Sequence, residues 1–122
     1  MQNIHNIRSR VALLAAALSM LIAAPSLALQ GAGGFTLVNK SGQDWIDVEI
    51  RRTRTSDYRP LTGSLAQGEA LKVVFTDPDC AFDLRVKVVG GGTAEWAGVN
   101  LCETQIVRLN QDKAGTRWVD YD

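Results

Sequence analysis

The stretch Ala81-Phe-Asp-Leu-Arg-Val-Lys-Val-Val89, with Gly90-Gly-Gly92 and Thr93-Ala-Glu-Trp-Ala-Gly-Val99 behind it, decides the fold. Phe82, Leu84, Val86 and Val88 alternate with Asp83, Arg85 and Lys87. Successive side chains of an extended chain point to opposite sides, so this period of two describes a strand with one buried and one wet face. Three consecutive glycines supply a turn, and residues 93–99 return as the second arm of an antiparallel hairpin. Working toward the N-terminus, residues 70–76 place Leu71, Val73 and Phe75 on one face until Asp77-Pro-Asp79 ends the ladder. Residues 45–52 alternate Ile46, Val48 and Ile50 with Asp47, Glu49 and Arg51. Phe35-Thr-Leu-Val-Asn39 is β-prone, and a turn around Gly42 follows it. Toward the C-terminus, residues 105–109 and 116–121 complete the set.

Residues 53–68 are polar, contain Pro60, Gly63 and Gly68, and read as a long loop with a short edge strand near 61–65. No convincing 3.6-residue periodicity occurs beyond residue 28. The expected fold is therefore all-β: a small antiparallel β-sandwich of about seven short strands, with a closed barrel as the alternative.

The N-terminus has a different character. Arg8 and Arg10 precede the apolar run 11–24, Pro25 breaks it, and Ser26-Leu27-Ala28 places small residues at the −3 and −1 positions of a cleavage site. This order predicts a helical secretory signal peptide at 1–28. The run of 14 residues is short of the about 20 that a membrane span needs. The expected organisation is a signal peptide at 1–28, a flexible Gly-rich leader at 29–34, and one β-sandwich domain at 35–122. The expected location is periplasmic or secreted, with no stable membrane anchor.

Both cysteines, Cys80 and Cys102, lie in the predicted mature chain. In a short exported domain the pair reads as a disulfide. It would close the open end of the hairpin, opposite the glycine turn.

Cleavage also removes chemistry. His5 is the only histidine of the chain and falls in the leader. Histidine-dependent nucleophilic triads are thereby excluded, and the usual zinc sites lose their main ligand. The mature chain keeps 11 basic and 13 acidic residues, a net charge of −2. That balance has no cationic excess with which to displace counterions from DNA or RNA, so no nucleic-acid partner is expected. No phosphate-cradling motif occurs, and Gly90–Gly92 reads as a hairpin turn. Asp77, Asp79 and Asp83 suggest calcium at first sight, but their spacing does not match an EF-hand loop and fits a proline turn beside a solvated strand. No catalytic residue, metal ligand or cofactor is assigned.

The remaining candidates are aromatic. Tyr58 in the long loop, Trp96 on the returning arm of the hairpin and Trp118 near the C-terminus offer flat rings suited to ligand stacking. For Trp96 the competing reading is a core tryptophan beside the disulfide. The basic run Arg51, Arg52 and Arg54 reads as a solvated strand end rather than an anion site. Asn39-Lys40-Ser41 matches a glycosylation acceptor, which carries no meaning if the chain is bacterial, as the Ala-rich apolar run of the leader suggests.

The elements Phe35-x-Leu-x-Asn39-x-Ser-Gly42, Asp79-Cys80-x-x-Asp83-Leu-Arg-Val86 and Gly91-Gly92…Trp96…Asn100-Leu-Cys102 resemble a group of small secreted proteins of Gram-negative bacteria. Its members are called hypothetical or Tat pathway signal proteins, and some are labelled argininosuccinate lyase. The resemblance spans nearly all of the mature chain and implies no catalytic residues. The lyase label does not suit this chain, because that enzyme is large and helical. Nor does Arg8-Ser9-Arg10 form a contiguous arginine pair.

Together these readings point to a non-enzymatic β-sandwich that binds an envelope or extracellular ligand or protein. A membrane-interacting sandwich and a small carboxylate-dependent glycan-acting enzyme are the alternatives.

Overall fold

The computed structural model describes residues 31–122; the predicted signal peptide and the first two residues of the leader lie outside the described residues. Eight strands form: β1 (Phe35–Lys40), β2 (Trp45–Arg52), β3 (Arg59–Thr62), β4 (Ala70–Val73), β5 (Ala81–Val88), β6 (Thr93–Asn100), β7 (Ile106–Gln111) and β8 (Arg117–Tyr121). They make two four-stranded sheets, ordered β4-β1-β7-β8 and β3-β2-β5-β6. The fold is all-β.

The hairpin of β5 and β6 pairs antiparallel, from Ala81↔Asn100 to Lys87↔Thr93. All three turn glycines, Gly90 to Gly92, have positive φ, which side chains with a Cβ rarely adopt. β2 matches its expected bounds and pairs with β5 along its length. The alternation seen in the sequence is the alternation of burial over most of β2 and β5, with two departures: a register shift between Trp45 and Asp47 turns Trp45 into the core and leaves Ile46 exposed, and Asp83 is buried on the outer face of β5. Val48 and Ile50 from β2 and Phe82, Leu84 and Val86 from β5 are buried, and they share one core with Leu37 of β1 and Val107 and Leu109 of β7. Two sheets with apolar inner faces and a common core form a sandwich.

One pairing departs from the antiparallel expectation. β1 and β7 run parallel, from Thr36↔Ile106 to Lys40↔Asn110. The chain visits the second sheet with β2 and β3, returns as β4, leaves again with β5 and β6, and comes back as β7. β4 takes the antiparallel side of β1, which leaves the other side for a strand arriving in the same direction. A parallel neighbour needs a long crossover, and the intervening hairpins provide it.

The Cys80–Cys102 disulfide is present, with the Cα atoms 5.1 Å apart. It lies at the open end of the β5–β6 hairpin, where the Leu101 amide also donates to the Cys80 carbonyl at 2.9 Å. The leader is docked rather than free over its described part. Ala32 is buried and exchanges hydrogen bonds with Asp77 at 2.7 and 3.2 Å. Gly31 lies so close to the Asp77 carbonyl and Pro78 that a Cβ there would clash with backbone. The short edge strand β3 falls at Arg59–Thr62, slightly earlier than expected, and Pro60 there is compatible with an edge.

Candidate functional site

The outer face of the β3-β2-β5-β6 sheet carries a ladder of ion pairs. Glu49 and Arg51 project from β2, and Asp83 and Arg85 from β5, because they occupy the odd phase between buried neighbours. Arg85 donates to Glu49 at 2.8 and 3.0 Å. Arg51 donates to Asp83 at 2.9 Å and reaches Glu95 at 3.4 Å.

Tyr58 covers this ladder. Its ring lies 3.9 Å from the Arg85 guanidinium carbon and 4.5 Å from that of Arg51. Its hydroxyl donates to Glu95 at 2.7 Å. Burial, and then the Glu95 hydrogen bond, push the Tyr58 phenol well above its ordinary value. Tyr58 is therefore a half-buried lid on an ion-pair network, with both adjacent cations already neutralised.

Asp83 is buried beneath Arg51. Burial works against its charged form. The Gly98 amide at 3.0 Å, the Arg51 guanidinium and the Thr53 hydroxyl at 2.9 Å outweigh that and hold the carboxyl below the usual range. Asp77 behaves alike. Burial opposes its charge, whereas the Asp79 amide and the Arg52 and Arg59 guanidinium groups favour it, and the net shift is downward. Asp77 and Asp83 are thus held by separate arginines, and among the described residues no acidic group is arranged to hold a metal ion. Arg51 and Arg52 are paired strand residues rather than a free anion site.

The three sequence candidates do not converge. Trp96 is 3% exposed, tilts against Trp45 with ring centroids 5.8 Å apart, and donates to the Asn110 carbonyl at 3.0 Å. This is a core position with its polar edge satisfied, and no ring face is offered to a ligand. Trp118 is 44% exposed on β8, in the other sheet from the Tyr58 cluster. Asn39, in the acceptor-like triplet, is fully buried and so cannot be glycosylated in the folded chain.

Sequence reasoning missed a groove of about 640 Å³ at one end of the β4-β1-β7-β8 sheet. Lys72, Thr36 and Ile106 form one row across β4, β1 and β7. Gly34, Phe35, Val73, Val74, Phe75 and Gln105 complete the walls. Val74 is almost wholly exposed. The lining is mainly apolar, with a single cation, Lys72, and no carboxylate. Such a groove suits an apolar group that carries an acceptor or negative charge at one end. The sequence holds no cue to it, because residues 70–76 read as one strand and only the early end of β4 at Val73 leaves Val74 exposed beside Phe75.

No family model matches the chain. No curated protein matches it in sequence. Among solved structures, the fold is similar to a protein from Eubacterium rectale determined by NMR, with a TM-score of 0.54, 12% identity, and coverage of 81% of this chain and 94% of that one. At that identity the likeness concerns the fold alone.

Proposed function

We propose that the chain is an exported, non-enzymatic binding module of the periplasm or extracellular space, akin to the small secreted Gram-negative proteins it resembles. The groove over Thr36, Lys72, Val74 and Ile106 would be its recognition surface. One observation carries this reading: the shifted carboxylates, Asp77 and Asp83, are committed to internal cations and amides, while the groove offers unpaired apolar surface beside one cation. A group held in its charged form by fixed partners stabilises the fold and is poorly suited to exchanging protons with a substrate. The disulfide suits an oxidising compartment.

The test is an amide chemical-shift titration of the protein, expressed with its own leader, against soluble cell-wall fragments and short-chain fatty acids. Saturable shifts at Thr36, Lys72, Val74 and Ile106, weakened at least tenfold by Lys72→Glu, are expected. Saturable shifts elsewhere would overturn the assignment. Glycan turnover abolished by one Asp or Glu substitution would replace it with the enzyme reading, and leakage of lipid vesicles with the membrane reading.

A further inference from the structure

Four strands lie at sheet edges: β3, β6, β4 and β8. An open edge invites pairing with another chain, and proteins blunt edges with proline, bulges, short strands or charged side chains. β3 contains Pro60 and has a register break against β2. β6 is bulged where Ala97 and Gly98 face the single residue Asp83, with Gly98 at φ +65°. β4 has only four residues. β8, Arg117-Trp-Val-Asp-Tyr121, has no proline and no bulge, its two charges, Arg117 and Asp120, are of opposite sign, and its register against β7 is unbroken from Gln111↔Arg117 to Val107↔Tyr121.

The phase of the β7–β8 ladder is set at both ends. Asp122 and Ile106 exchange two bonds of 3.0 Å, and the Asp112 amide donates to the Thr116 carbonyl at 3.0 Å. Hydrogen-bonded and non-bonded pairs alternate in an antiparallel ladder. Trp118 and Asp120 therefore turn their backbone groups toward β7. Arg117, Val119 and Tyr121 turn their amides and carbonyls outward.

We propose that this edge pairs with β8 of a second copy of the chain, antiparallel about a two-fold axis at Val119. In that register Val119 faces Val119 of the second copy, and Arg117 faces its Tyr121. These are the residues whose backbone groups point outward, so every one of those amides meets a carbonyl. On the outer face Trp118 meets Asp120 of the second copy, placing an indole donor opposite a carboxylate. On the inner face Arg117 meets a tyrosine, and valine meets valine. No like charges oppose one another, which favours this register in a cross-strand pair. A two-fold contact requires such self-complementarity. The join would make one continuous eight-stranded sheet and leave the groove at Lys72, on the β4 side, open.

The test uses the protein expressed with its own leader and purified as the cell leaves it. Sedimentation equilibrium should show reversible dimers. Amide exchange should slow at Arg117, Val119 and Tyr121 as concentration rises, while Trp118 and Asp120 stay protected throughout. Val119→Pro removes an outward N–H that the β7 ladder does not use, and should shift the dimer to monomer by at least tenfold in dissociation constant. A monomer at all concentrations up to about 1 mM, or a dimer in which those three amides exchange freely, overturns the proposal. Should Val119→Pro fail to fold, the exchange pattern of the unaltered protein decides.

Discussion

Asn39 shows how one buried polar side chain organises several segments. Its amide nitrogen donates to the Gln43 and Leu65 carbonyls at 2.7 and 3.0 Å. Its oxygen accepts from the Ser41 amide and hydroxyl at 3.0 and 2.7 Å. Ser41 Oγ in turn accepts from the Trp45 indole at 3.0 Å. Every polar atom of the Asn39 side chain is satisfied, so truncation strands several partners at once. Asn39→Ala should cost about 2–3 kcal/mol in a denaturant melt. Asp83 shares the acid sensitivity with Asp77. Its folded pKa lies below its ordinary value of 3.8, so its contribution is complete above that value and is lost as pH falls through the lower folded value. Thermal melts from pH 7 to pH 2.5 should show an acid limb below about pH 4 that is shallower in Asp83→Asn.

At the scale of the element, the β6 bulge joins charge to backbone. The extra residue lets Trp96 and Val99 both face the core, while the Asp83 carboxylate accepts from the Gly98 amide. A Cβ at Gly98 would meet no neighbour within 4 Å, but its φ of +65° is unfavourable for other residues. Gly98→Ala should therefore cost about 1 kcal/mol, read from the chemical denaturation midpoint, without disturbing the core. A loss well above that would mean the bulge tolerates no side chain. The strands themselves were legible in the sequence because alternation is a local property, and β2 and β5 matched within a residue. β4 stopped earlier than its pattern suggested, at Val73, because the chain turns toward Asp77 to meet Ala32.

At the scale of the molecule, the disulfide secures the hairpin that makes up half of the β3-β2-β5-β6 sheet. A closed loop with a sequence separation of 22 constrains the unfolded chain by roughly 3 kcal/mol. Replacing Cys80 and Cys102 together with alanine should lower Tm by more than about 10 °C in a domain of this size. A smaller change would mean that the Leu101–Cys80 backbone bond and the core hold the hairpin closed without it.

The sequence by itself determined the all-β class, the hairpin, the disulfide partners and the loss of histidine chemistry from the predicted mature chain. Each follows from alternation, residue counts or short-range turn chemistry. Only the tertiary structure decided that β1 and β7 run parallel, that Trp96 is core while Trp118 is exposed, and that Tyr58 lies across two arginines. It alone revealed the groove at Lys72 and Ile106. These features join residues tens of positions apart. Which strands become neighbours depends on how all the sheets close together around one core, and a local pattern carries no record of that.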